Sequence, residues 1–121
     1  MWSPLRKIGN NAESIAKDFL IKNNLKLIKK NYLTTMGEID LIMLEKDILV
    51  FIEVRYRESV NFTSTIESVD CKKQQKIIKT AQIFLAKNPQ FDDNICRFDV
   101  VGVENSLKSP NINWIKDAFI L

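Results

Sequence analysis

The spacing of apolar positions changes several times along the chain, and each change marks a new element. Ile8, Ala12, Ile15, Ala16, Phe19 and Leu20 recur at helical spacing with lysine and aspartate on the other side, which predicts a helix over residues 9–23. KLIKKNYL, residues 26–33, is compatible with an outer strand. GEIDLIMLEKDILVFIEVRYR, residues 37–57, holds two strand-like apolar runs, 37–45 and 48–57, joined by a short charged turn. Ile77, Ile78, Ala81, Phe84 and Leu85 predict a second helix over roughly 69–87, with Ser68 or Asp70 as N-cap and Asn88-Pro89 as the stop. ICRFDVVGV, residues 95–103, reads as a strand, and INWIKDAFIL supplies a last strand and a C-terminal tail. The order α-β-β-β-α-β-β predicts an α/β fold with a mixed central sheet flanked by helices. With no internal repeat and no linker, residues 1–121 read as a single domain.

Each run of the hairpin carries one acid in its interior, where a sheet normally takes Val or Ile. A two-residue loop at Lys46-Asp47 pairs 45 with 48 and 44 with 49, and further back it sets Asp40 opposite Glu53 and Glu38 opposite Arg55. Opposed side chains on one face have Cβ atoms about 5 Å apart. Two carboxylates that close repel, and burial then raises their pKa values or demands a cation. Arg55, Arg57 and a bound divalent metal are the candidates, since Glu53, Arg55 and Arg57 share a face by alternation. A hard ion such as Mg²⁺ takes oxygen ligands, usually one or two carboxylates plus water and a substrate phosphate. A plainer account is a salt-bridge ladder, Glu38–Arg55 with Asp40–Arg57 on a diagonal. It accounts for the charges but not for acids set between apolar neighbours in two central strands.

Composition narrows the chemistry. A chain of 121 residues, 45% of them hydrophobic, is long enough to bury a sizeable core. There is no apolar run of about eighteen residues and no charged-then-apolar leader, so neither a membrane span nor a signal peptide is expected. Cys71 and Cys96 lack metal-ligand spacing, and unpaired thiols fit a reducing, cytoplasmic location. Histidine is absent, which excludes Ser-His-Asp and Cys-His nucleophiles, His-metal sites and zinc-type hydrolysis. Any acid, base or metal chemistry therefore falls to carboxylates, lysines and arginines. The net charge is only +3, but Lys22, Lys26, Lys29 and Lys30 form one basic stretch and Lys72, Lys73, Lys76 and Lys79 another. Each is either a nucleic-acid footprint or a solvated face.

GEIDLI followed by VFIEVRYR resembles the signature of the YraN family of small bacterial proteins. That family is similar to the restriction-endonuclease-like, or PD-(D/E)xK, nucleases and to archaeal Holliday junction resolvases. The resemblance extends over GNNAESIAKDFL, KKQQKIIKTAQIFLAKN, CRFDVV and NWIKDAF, nearly the whole chain. It implies a restriction-endonuclease-like fold and Mg²⁺- or Mn²⁺-dependent hydrolysis of nucleic acid, with branched or structured DNA as the substrate class and a homodimer as the acting form. By the same resemblance Asp40 is the first metal-binding acid, Glu53 the acid of the ExK element, Glu13 a further acid and the Val54 carbonyl a further oxygen ligand. Arg55 stands at the lysine position; it can stabilise developing charge but is never deprotonated, so it cannot act as a base. Gln74 matches a glutamine that some relatives place on the helix after that strand. Arg57, Lys72, Lys73 and Lys76 are the expected phosphate contacts. The contrasting reading is a non-catalytic nucleic-acid-binding or adaptor module that keeps the fold.

Helical geometry puts Glu13 on the border of its apolar stripe, within reach of the sheet edge; without the resemblance, a solvent-exposed helix acid favoured by the macrodipole is the better account. Gln74 falls in the middle of the buried face, where an amide either caps neighbouring backbone or holds a ligand. Lys72, Lys76 and Lys79 lie on the outer side, and Lys73, on the flank, is able to approach the site. Asp99 is read as a structural partner of Arg97 or of a basic residue on the neighbouring strand, outside the site. Trp2, Trp114 and Tyr56 are read as packing residues.

Overall fold

The computed structural model describes residues 4–57 and 66–120, with side chains described over 11–57 and 67–120. Helix α1 spans Pro4–Lys22, strands β1 Leu25–Thr34, β2 Gly37–Glu45 and β3 Ile48–Arg57, helix α2 Cys71–Lys87, and strands β4 Ile95–Glu104 and β5 Asn111–Phe119. Single 3-10 turns at Ile66–Ser68 and Pro89–Phe91 flank α2. The strands form one sheet in the order β1-β2-β3-β4-β5, antiparallel except for the parallel β3–β4 pair, which α2 connects. This is the mixed sheet and element order that the periodicity predicts, and it agrees with the restriction-endonuclease-like architecture that the resemblance implies.

α1 begins earlier than its apolar stripe suggests. Gly9, Asn10 and Asn11 are poor helix formers and hide the preceding turn, whereas Pro4 is well suited to a first helical position. The helix stops where Asn24 takes a left-handed φ of 72° and the Asn23 amide donates to the Phe19 carbonyl. α2 is capped by Asp70, whose carboxylate accepts the Lys73 N–H at 2.9 Å, and it ends at Asn88 before Pro89. Trp2 and the side chain of Ile8 lie outside the described residues.

Each face of the sheet packs one helix. On the α1 face, Ala12, Ala16 and Leu20 meet Leu41, Met43, Val50, Ile52, Val101 and Val103. On the other, Ile77, Ala81 and Phe84 of α2 meet Ile39, Ile42, Leu49, Phe51, Phe98 and Val100. Gly37 sits beneath α2, and its φ of 153° is rarely adopted by other residues. A Cβ there would lie 3.1 Å from Thr80 Oγ1 and 3.2 Å from Lys76 Cβ. Gly37→Ala is therefore expected to cost about 1–3 kcal/mol, read as a lowered denaturation midpoint at unchanged slope.

The hairpin pairs as counted from its turn: Glu45 with Ile48, Leu44 with Leu49, and on to Leu41 with Ile52. The β2–β3 ladder ends there, one step short of Asp40 and Glu53. Side-chain alternation breaks at the same point. Leu41 and Met43 pack on the α1 face, yet Ile39 packs with Ile42 on the α2 face. Across from Asp40, between the Lys30–Leu41 and Tyr32–Ile39 pairs, Asn31 of β1 adopts a left-handed φ of 52°. The predicted face-to-face pair of acids thus becomes a local parting of the strands.

Candidate functional site

Asp40 fills that parting. Its Oδ2 accepts the Val54 N–H at 2.8 Å, so a side chain replaces the ladder bond that β2 no longer supplies. Val54 enters through its N–H. From α1, Glu13 reaches the same spot, and one carboxylate oxygen each of Glu13, Glu38 and Asp40 lies within 4.8 Å of the others. Glu53, on the α2 side and only 4% exposed, approaches the Asp40 carboxyl closely enough for a hydrogen bond between the two groups. Burial, then the charge of Glu53 and that hydrogen bond, push Asp40 well above the usual carboxylate range against the opposing Val54 N–H. Glu13 is also raised, chiefly by burial and further by Glu38 and Glu53, although the Asn31 amide and Lys30 oppose the shift.

The cations stand to one side of this acid group. Glu53 Oε2 lies 3.3 Å from Lys73 Nζ and 3.6 Å from Arg55 Nη1. Arg55 is further held by donation of its Nε to Ser68 Oγ at 3.1 Å. Among the described residues no cation pairs with Asp40, and the ladder of Glu38–Arg55 and Asp40–Arg57 ion pairs does not form. Arg55 turns to Glu53 on its own strand because β2 has already parted from β3.

Asp99 makes an instructive contrast. It too is a strand acid that fills a ladder irregularity, accepting the Asp117 N–H at 2.9 Å where β4 and β5 slip register. There, however, Arg97 clamps both carboxylate oxygens at 2.8 and 2.9 Å, and Trp114 Nε1 donates at 2.9 Å. Asp99 is thus the structural partner of Arg97, the first of the two partners the sequence allows. One strand acid is neutralised by the protein itself; the other is surrounded by acids. Such an arrangement of oxygen donors suits a hard divalent cation, which would remove the repulsion and the burial penalty together.

The remaining predicted residues are placed as follows. Gln74 donates its amide to the Val69 carbonyl at 3.0 Å, realising the backbone-capping alternative. Lys72, Lys76 and Lys79 are exposed on the outside of α2, as are Lys22, Lys26, Lys29 and Lys30 on α1 and β1. The Arg57 carbonyl accepts the Asn105 N–H. Trp114 packs edge-on against Phe19, and Tyr56 lies against the α1-side core. Cys71 and Cys96 are free. Sequence reasoning missed Glu38 as a member of the acid group, although its i−2 relation to Asp40 was a signal. It also missed Asn31, whose backbone conformation no local pattern announces. A cleft of about 380 Å³ opens beside Glu13, edged by Asn11, Ser14, Lys17, Lys30 and Asn31. No helix among the described residues is long and apolar enough to cross a membrane.

A mixed five-stranded sheet between two helices, with a carboxylate group at the parting of two strands, places the chain among α/β proteins of nuclease-like architecture. The chain belongs to the uncharacterised protein family UPF0102, whose profile matches residues 12–103 and which is the YraN family of the sequence resemblance. It is 46% identical over 114 residues to a UPF0102 protein of Francisella tularensis subsp. novicida, covering 93% of this chain and 94% of that one. A UPF0102 protein of Pseudomonas syringae pv. tomato is 43% identical over 122 residues, covering 97% and 95%. One from Stutzerimonas stutzeri is 42% identical over 111 residues, covering 92% of each chain.

Proposed function

We propose that the protein is a Mg²⁺- or Mn²⁺-dependent phosphodiesterase acting on nucleic acid, with branched or otherwise structured DNA as its substrate class. The observation that carries this reading is Asp40, a strand carboxylate ringed by Glu13, Glu38 and Glu53 and paired with no cation among the described residues. Asp40, Glu13 and Glu38 offer the first oxygen ligands, Glu53 turns in from its lysine, and the Val54 carbonyl is a further candidate. A divalent ion there supplies Lewis acidity at the phosphate and a nucleophilic water at neutral pH. The Val54 N–H keeps Asp40 oriented, while Arg55 and Lys73 bring positive charge to where the phosphate develops negative charge. Lys17 and Lys30 at the cleft, with Arg57, Lys72 and Lys76, give salt-sensitive contacts to backbone phosphates. Symmetric cutting of a branched substrate calls for a homodimer.

Purified protein incubated with linear, single-stranded and four-way-junction DNA in Mg²⁺ or Mn²⁺ is expected to cut at least one of them. Asp40→Ala should be inactive, and calorimetric titration of Mn²⁺ should show binding weakened at least about tenfold in Glu13→Gln and Glu53→Gln. Cutting that persists in Asp40→Ala would belong to a contaminant. One observation favours a second reading: the permanently charged Arg55 is tethered to Ser68, as in a binding surface without a base. DNA binding without metal-dependent cutting of any substrate would establish that adaptor role instead.

A further inference from the structure

Hydrolysis at a phosphate needs a fixed donor at the attacking water or the equatorial oxygens, and a preorganised cation serves better than one that must rearrange. Two cations touch Glu53, and their situations differ. Arg55 is one-third exposed, its Nε is committed to Ser68, and its Nη1 stands 3.6 Å from Glu53, an ion pair rather than a hydrogen bond. Lys73 comes from the first turn of α2, where Asp70 fixes its backbone N–H; its side chain is 44% exposed, no other acid pairs with it among the described residues, and its Nζ lies 3.3 Å from Glu53 Oε2, closer than Arg55. One of its three ammonium donors faces that oxygen, which leaves two for whatever Glu53 and Asp40 hold between them. A lysine in the first turn of a helix also opposes the macrodipole, so helix stability is not what places it there.

We infer that Lys73, not Arg55, is the catalytic cation: its ammonium donates to the attacking water and to the scissile phosphate. Arg55 is a positioning residue that holds Glu53 against the Ser68 turn. This rests on the phosphodiesterase reading. The water oxygen forms the new bond to phosphorus, one P–O ester bond breaks, the water's proton passes to solvent, and the departing oxygen takes a proton from solvent. Lys73 contributes only its hydrogen bonds and its position, and neither takes nor gives up a proton in this scheme.

The test uses the full chain and the DNA substrate that the wild type cuts fastest, in single-turnover reactions at saturating Mn²⁺. Mn²⁺ affinity is measured calorimetrically without DNA, DNA affinity by fluorescence anisotropy without metal, and folding by thermal melting. Lys73→Met should slow cutting about 100-fold or more, with DNA affinity within about threefold of wild type. Its Mn²⁺ affinity should be unchanged or tighter, because a cation competing for Glu53 is gone. Arg55→Met should cost about tenfold or less, and Lys73→Arg should recover no more than about tenfold of the loss, since a planar fork does not replace a compact donor. Lys73→Met cutting within about threefold of wild type, or Arg55→Met falling below Lys73→Met, would overturn the assignment while leaving the phosphodiesterase reading intact. A wild type that binds no Mn²⁺ and cuts nothing would overturn both.

Discussion

Asp40→Asn is expected to raise the melting temperature of the metal-free protein at pH 7 and to abolish the further rise that, on the proposed reading, Mn²⁺ should give the wild type. The asparagine can keep what the fold uses: its carbonyl oxygen can accept the Val54 N–H, and its amide can donate toward Glu53. Only the charge is lost. Burial first, then Glu53, hold the Asp40 pKa above its unfolded value. A carboxyl raised in the folded state contributes stability that is fully present below its unfolded pKa and is lost as pH rises through the folded one. The melting advantage of Asp40→Asn should therefore be near zero in acid and largest above the raised pKa. Each kcal/mol relieved moves the midpoint by about 4 °C in a chain of this size. Loss of an outer-shell partner alone typically weakens a metal site about 10–100-fold, so if Asp40 is a ligand, as proposed, its loss should exceed that and abolish any metal-dependent cutting. Melting curves across pH, with and without Mn²⁺, read both halves; a variant that melts below wild type at neutral pH would refute the electrostatic account.

The same kind of change at the other strand acid should act in the opposite sense. Arg97→Met leaves Asp99, which is fully buried, as an uncompensated carboxylate. Breaking a buried pair from one side costs about 3–5 kcal/mol, which here means a melting point lower by about 12–20 °C. Hydrogen bonds to Asp99, ahead of those to Glu45, hold the Arg97 guanidinium above its ordinary pKa, so the pair does not break by titration near neutrality. Adding Asp99→Leu should recover only part of the loss. It removes the stranded charge but orphans the Trp114 Nε1 and Asp117 N–H donors, at about 1–3 kcal/mol each. Mn²⁺ affinity should be unchanged, because Arg97 bonds Asp99 and Glu45 and none of the acids around Asp40. Thermal melting of the single and double variants separates the terms.

Much of this was legible in the sequence where a local rule was strong. The two-residue turn set the hairpin register, and Asn88-Pro89 ended α2 where the chain does end it. Asp40, Glu53 and Asp99 stood out because carboxylates interrupted apolar strands. What stayed hidden depends on tertiary packing. Strict alternation kept Ile39 with Leu41, and the reversal at Asp40 arises only against Asn31 on a neighbouring strand. Continuing the ladder past Leu41 also gave Glu38 to Arg55, when the parting of the strands frees it to join Glu13. Lys73 was visible as a flank residue, but its contact with Glu53 needs the docked position of α2. The reach of Arg97 and Lys116 to Glu45 crosses the sheet, and no window along the chain contains it.

The parting between β2 and β3 opens toward both layers of the molecule. Glu13 arrives through it from one helix and Lys73 closes on it from the other, so neither layer holds the whole set of groups. On the proposed reading, an ion held there would draw on Glu13 together with the strand acids, so its binding would report that α1 is docked on the sheet.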